Sequence, residues 1–355
     1  MSVLSETIQK IPAIDQPFYD KALDRLANQA RPAGSLGLLE EASARLAGIK
    51  KTLDVRLPNK FILTCAGDHG IVAEGVSLFP QEVTAQMVYN FVSGGASINV
   101  LARHAGADVR VADFGVNHDF APDLPIFHKK IAKGTRNFYN EPAMRRDEAV
   151  SAIEAGIETV NDLCTEADVD MIGTGDMGIG NTSPSSAIIA AFSGIAAEKL
   201  TGRGTGLDDH GLSHKAAVIE TALKKHAPDP KDPIDVLAKV GGFEIAGIAG
   251  IVIGAAARGI PVLSDGLIST AGTLIAAELS PAVKPYLFAA HQSVEIGHQY
   301  MLDRIGLQPL LHLNMRLGEG TGAALAMEIL DAATRVLAEI KTFEEVNIIN
   351  APENR

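Results

Sequence analysis

Seven short apolar runs alternate with Ala-rich helical stretches from about residue 59 onward, and this alternation constrains the fold more than any other feature. The runs are FILTCA (61–66), VRVADF (109–114), VDMIGT (169–174), DVLAKV (235–240), PVLSDG (261–266), YLFAA (286–290) and PLLHL (309–313). They are apolar throughout rather than at every second residue, so each is expected to be a strand covered on both faces. The expected class is therefore α/β, with a Rossmann-like, mostly parallel sheet and helices on both faces. The first 55 residues read differently. FYDKALDRLANQA (18–30) and LLEEASARLAGI (38–49) are helical, and RPAGSLG (31–37) separates them. These helices lack a core of their own. GAALAMEILDAATRVLAEI (322–340) is a strong amphipathic helix that can return to cover them. The expected division is a small helical domain from 1–57 with 328–355, and a large α/β domain over 58–327.

Composition narrows the functional classes. The chain has 355 residues and a formal net charge of −12, which gives no global attraction for nucleic acid or an anionic membrane. Two cysteines, Cys65 and Cys164, form neither a disulfide framework nor a metal-type pair and fit a reducing compartment. No basic-then-apolar leader opens the sequence, so a cytoplasmic location is expected. The most apolar stretch, 240–257, holds Glu244 and five glycines and is expected to be a buried helix rather than a membrane span. The 34 glycines, with no Trp and 5% aromatics, need a positional explanation.

Glycines and polar residues cluster just after the apolar runs: AGDHG (66–70), FGV (114–116), GTGDMGIGNTSPSS (173–186), VGGFE (240–244), SDG (264–266), HQS (291–293) and RLGEG (316–320). In an open α/β sheet the ligand lies beyond the carboxyl ends of the strands. GTGDMGIGNTS is the most informative cluster. Its glycines allow close backbone approach, and the helix beginning at SPSS offers free N–H groups to an anion. Gly173, Gly175 and Gly178 match G-x-G-x-x-G, but no ribose-binding acid follows, so a mononucleotide or sugar phosphate is expected rather than a dinucleotide. Lys215, after a second Gly-rich segment, is a candidate phosphate partner or a solvated lysine. Glu319, between two glycines before a helix, is a candidate general base or a capping carboxylate. His291, Glu295 and His298 have the spacing of one helix face, more in keeping with cleft polarity than with a metal site. Asp68 and His69, adjacent at a strand end, point apart and form no dyad.

The ordered set CAGDHGIVAEGVSLFPQEVTAQMV, GTGDMGIGNTSPSSAI, TGRGTGLDD, KVGGFEIAGIAG, SDGLISTAG and RLGEGTGAALA resembles the nicotinate-nucleotide:dimethylbenzimidazole phosphoribosyltransferase family. The resemblance runs from about residue 31 to the last helix. It implies transfer of phosphoribose from nicotinate mononucleotide to 5,6-dimethylbenzimidazole, giving nicotinate and α-ribazole 5′-phosphate with inversion at C1′, within cobalamin lower-ligand assembly. It implies no metal, no cofactor, and a homodimer. By the same resemblance Glu319 is the catalytic base. Gly175, Asp176, Gly178, Gly180, Asn181, Thr182, Lys215 and Arg316 bind the nucleotide and its phosphate. Ser77, Gln86, Ser293 and Leu317 belong to the base pocket. The family usually has Glu where this chain has Asp176, and LDLGM where it has LHLNM, with His312 and Asn314. These departures leave the acceptor open among benzimidazoles, purines and phenols. Two other readings compete: a dinucleotide-dependent oxidoreductase and a non-catalytic nucleotide-binding protein.

Overall fold

The computed structural model describes residues 2–204 and 206–349. Its strands are β1 (Lys60–Gly67), β2 (Ala107–Gly115), β3 (Phe127–His128), β4 (Met171–Met177), β5 (Val262–Ser264), β6 (Leu287–His291) and β7 (Pro309–Leu311). Its α-helices are α1 (Val3–Gln9), α2 (Gln16–Ala27), α3 (Leu38–Lys50), α4 (Val83–Ser93), α5 (Ser97–Ala105), α6 (Arg146–Glu166) and α7 (Thr182–Ser193). They continue with α8 (Asp209–His226), α9 (Pro233–Val240), α10 (Phe243–Ala257), α11 (Leu267–Leu279), α12 (Ile296–Ile305), α13 (Thr321–Glu339) and α14 (Phe343–Val346).

The strands form one sheet in the order β3-β2-β1-β4-β5-β6-β7, and every pairing is parallel. Chain order runs outward from β1 on one side and from β4 on the other. The topological switch therefore lies between β1 and β4, where doubly wound sheets open a ligand crevice. Both strands are almost wholly buried, as their continuous apolar sequences require. Six of the seven expected strands are present. The seventh, 235–240, is instead α9: Asp232 caps it by accepting from the amides of Ile234 and Asp235, and Pro233 opens its first turn. The outer strand β3 went unforeseen because two residues carry no usable periodicity.

Helices α6, α10 and α11 pack together on one face, while α5 and α13 pack together on the other. Every residue of α10 from Phe243 to Ala256 is buried. A helix apolar on all sides belongs in a core, and no described helix is long and apolar enough to cross a membrane. Glycine makes its packing possible. A Cβ at Gly250 would lie 1.9 Å from the Ile153 carbonyl of α6, and one at Gly156 would lie 2.1 Å from the Gly247 carbonyl. Gly250→Ala is therefore expected to force the two helices apart and cost about 1–3 kcal/mol. A denaturant midpoint equal to that of the parent would contradict this close contact.

The N-terminal helices do meet the C-terminal one. Ser43 Oγ donates to the Ala333 carbonyl at 2.6 Å, Arg25 Nε donates to Leu337 O, and Gln29 bridges to Thr342. Helix α1 goes elsewhere: the Leu4 amide donates to Glu154 of α6. Residue 328 lies inside α13, so that helix runs unbroken across the expected domain boundary. Residues 350–355 of the expected small domain lie outside the described residues.

Candidate active site

A cavity of about 280 Å³ opens beyond the carboxyl ends of β4, β5 and β6. Among the residues predicted for the site, Asp176, Asn181, Thr182, Ser293, Arg316 and Leu317 line it. Phe79, Gly204, Leu267, His291 and Glu295 line it as well. The predicted Gly175, Gly178, Gly180, Lys215 and Glu319 are not among its lining residues. Ser77 is half-buried, and its hydroxyl accepts from the Phe79 amide. Gln86, exposed on α4, lines a different cavity with Asp68, Gln81, Tyr89, Asn117 and His118.

One group of polar residues at the cavity comes from α7 and α8. The amides of the first turn of α7 have only partial intrahelical pairing, as at any helix start. Lys215, fully buried on α8, reaches toward this turn and donates from Nζ to Thr182 Oγ1 at 2.6 Å. Burial pulls its ammonium down to about 8, and the charge of Glu295 opposes that fall. Glu295 Oε1 in turn accepts from the Gly204 amide at 3.0 Å. Arg316 is exposed at the rim, with Nη1 3.5 Å from Gly204 O.

A second group of residues is acidic. Glu319 is buried, 6% exposed, in the turn between β7 and α13. It has φ +63°, between Gly318 at +87° and Gly320 at +96°. Three successive left-handed residues form a strained turn, and strain of this kind concentrates at functional sites. The turn is held by its neighbours: Thr64 Oγ1 donates to Glu319 O at 3.0 Å, and the Ile98 amide donates to Oε2 at 3.1 Å. Burial raises the Glu319 carboxyl; the Ile98 amide opposes this, and the charge of Asp265 adds to it. Asp176 is pushed well above the ordinary carboxylate range by burial, then by the charges of Asp265 and Glu244, against the Asn181 hydrogen bond. Its Oδ2 accepts from Asn181 Nδ2 at 3.0 Å, while Oδ1 is buried without a hydrogen-bond partner.

Several expectations change here. Gly173 and Gly175 lie within β4, not in a loop facing a ligand. A Cβ at Gly175 would lie 2.2 Å from Glu319 O, and one at Gly173 would meet Ala323 and Met327 of α13. These glycines admit the protein's own backbone and side chains, so the G-x-G-x-x-G match is a packing pattern. His291 ends β6, and Glu295 precedes α12, so His291, Glu295 and His298 do not share one helix face. The Ser293 amide donates to His298 Nδ1 at 2.9 Å, which directs Nε2–H toward Thr270 Oγ1 at 2.9 Å. Burial, then the charge of His291, drives His298 down to about 3, so its imidazole is neutral and already engaged. Asp68 and His69 do diverge: Asp68 accepts from the Asn117 amide, and His69 pairs with Glu244 at 2.8 Å in full burial. The sequence hid that second pairing because its partners are 175 residues apart.

The phosphoribosyltransferase family model matches residues 11–348. The chain belongs to the phosphoribosyltransferase family. Among its relatives, a nicotinate-nucleotide--dimethylbenzimidazole phosphoribosyltransferase from Geobacter sp. (strain M21) is 58% identical over 348 residues, covering 98% of this chain and 99% of that relative. The enzyme of the same name from Citrifermentans bemidjiense is 57% identical over 351 residues, covering 99% of this chain and all of that relative. The crystal structure of CobT from Thermus thermophilus superposes with a TM-score of 0.90 at 40% identity, covering 94% of this chain and 100% of that one.

Proposed function

We propose that this phosphoribosyltransferase moves phosphoribose from nicotinate mononucleotide to 5,6-dimethylbenzimidazole or a related flat heterocycle. The observation that carries this reading is a buried carboxylate, Glu319, next to the cavity residue Gly318, together with a buried ammonium, Lys215, bonded to the cavity residue Thr182. The donor has the same polarity: an anionic phosphate at one end and a cationic pyridinium ring at the other.

Phosphate is assigned to the α7 amides, with Lys215 acting through Thr182, and Arg316 at the rim. A benzimidazole attacks poorly while its second ring nitrogen keeps its proton. Glu319 takes that proton as the other nitrogen forms its bond to C1′. The C1′–pyridinium bond breaks, and its electron pair neutralises the departing nicotinate ring, which needs no acid. Attack opposite the leaving group converts the β-linked ribose to the α product. Base assistance of this kind contributes ~10²–10⁴-fold, and in-line positioning supplies much of the rest. Ser293 and Leu317 at the cavity are assigned to acceptor selection, with Ser77 next to the lining segment at Phe79 and Gln86 in the separate cavity beside α4. Asp176, one methylene shorter than the usual family residue, is assigned to the ribose and leaving-group side. The expected small helical domain of 1–57 with 328–355, a cytoplasmic location and a homodimer belong to the same proposal. Exposed Phe79, Val294 and Leu317 beside the cavity support the homodimer, which light scattering tests.

The deciding experiment incubates the protein with nicotinate mononucleotide and a panel of benzimidazoles, purines and phenols. Mass spectrometry then identifies the riboside phosphate. Nicotinate release with 5,6-dimethylbenzimidazole is the expected result, and failure with every acceptor overturns the reading.

A further inference from the structure

The geometry points to Asp265 and His291 as the pair that positions Glu319 for proton transfer, an inference that rests on the phosphoribosyl-transfer reading above. Asp265 follows β5 and is completely buried. Its Oδ2 accepts from the Gly320 amide at 3.2 Å, and its Oδ1 accepts from the Ala323 amide at 2.9 Å. One of these amides follows Glu319 directly, and the other lies in the first turn of α13. A single carboxylate therefore ties the strained turn to the helix that continues from it.

His291 reaches the same carboxylate from the end of β6, with Nε2 3.6 Å from Asp265 Oδ1. The fit against α13 is close. A Cβ at Gly322 would lie 2.0 Å from His291 Cδ2 and 2.8 Å from Asp265 Oδ1, so that position of the helix accepts only glycine while the pair is in place. The imidazole also lines the cavity, and its Nδ1 is buried with no hydrogen-bond partner. The pair thus has one side on the turn that bears Glu319 and the other on the space assigned to substrate.

The charged and titratable groups around it are Asp176 from β4, Glu319 itself, and His298 from α12, whose ring centroid lies 6.2 Å from that of His291. His298 is neutral and bonded to Thr270, so His291 is the imidazole left to face Asp265. A buried carboxylate held by two amides, with an imidazole packed 3.6 Å away, is preorganised, and a 1 Å displacement of a catalytic group costs on the order of 10²-fold in rate.

The test measures nicotinate release by the full chain with 5,6-dimethylbenzimidazole as acceptor. Asp265→Asn preserves size but turns an amide donor toward a backbone N–H. It is expected to lower kcat about 10- to 100-fold with KM for nicotinate mononucleotide within about twofold. The acid limb of its kcat–pH profile should move to lower pH, because a negative charge beside Glu319 is gone. His291→Ala should lower kcat as well, and His291→Asn should restore part of it. Normal kcat with an unmoved acid limb in Asp265→Asn overturns the proposal, as does an equal loss of nucleotide affinity and turnover. If Asp265→Asn does not fold, His291→Ala decides, and wild-type kcat there overturns the pairing. Failure of the wild-type protein with every acceptor refutes the reaction instead, so the two outcomes are distinguishable.

Discussion

Glu319→Gln is expected to lower kcat by ~10²–10⁴-fold while leaving the affinity for nicotinate mononucleotide nearly unchanged. Glutamine has the size of glutamate, and its carbonyl can accept from the Ile98 amide in place of the carboxylate oxygen that does so now. The substitution removes the capacity to take a proton and little else. A loss confined to kcat marks an interaction made only in the transition state. Burial raises the Glu319 carboxyl, the Ile98 amide restrains that rise, and Asp265 reinforces it. Only the ionised form is a base. The wild-type kcat should therefore climb with pH through a midpoint above the ordinary carboxylate range, and the variant should lack that climb. Single-turnover nicotinate release measures the rate, and calorimetry measures binding. Turnover close to wild type would remove Glu319 from the base role.

Lys215→Ala is expected to act on the other substrate term. A charge-assisted contact is worth ~1.5–3 kcal/mol, which corresponds to a Kd for nicotinate mononucleotide weakened about 10- to 100-fold. The pH dependence distinguishes this from general damage. Burial brings the Lys215 ammonium down to about 8 against the opposing charge of Glu295. The phosphate is dianionic above its second pKa of about 6, so wild-type affinity should fall as pH rises through about 8 and the ammonium discharges. Free-enzyme binding is the quantity to follow, since bound phosphate favours the protonated lysine. In Lys215→Ala that alkaline decline should vanish. A variant with unchanged affinity, or with the same alkaline decline, would count against the phosphate assignment.

The sheet was legible in the sequence because its central strands are continuous apolar runs with a glycine or an acid at each carboxyl end. Asp176 and Asp265 come from two such ends and Glu319 from the turn before α13, and all three carry raised carboxyls in one region. The sequence places each residue at an edge but cannot reveal that the edges converge. Helix α9 was misread because VLAKV is apolar enough for a strand, and the decisive signal was the Asp232–Pro233 cap just before it. The glycines of β4 were legible as glycines but not as packing positions, because the atoms they accommodate belong to β1, to α13 and to the turn before α13, all distant along the chain. Lys215 was visible as a cation near a Gly-rich segment; its complete burial, which brings its ammonium down to about 8, depends on tertiary packing alone. Glu244 and His69 illustrate the same limit. Neither residue has a local pattern that announces a partner, and their pairing exists only once α10 docks beneath β1.

The contact between Ser43 and Ala333 spans 290 residues, and protein synthesis feels that separation. Ribosomes add ~5–20 residues per second, so the first helices wait on the order of 15–60 s for the helix that covers them. During that interval the apolar sides of α2 and α3 have no final partner. Contacts so distant in sequence also slow folding, because the intervening loop must be closed before they form. A truncation that removes α13 leaves Ser43 and Arg25 without these carbonyl partners for good.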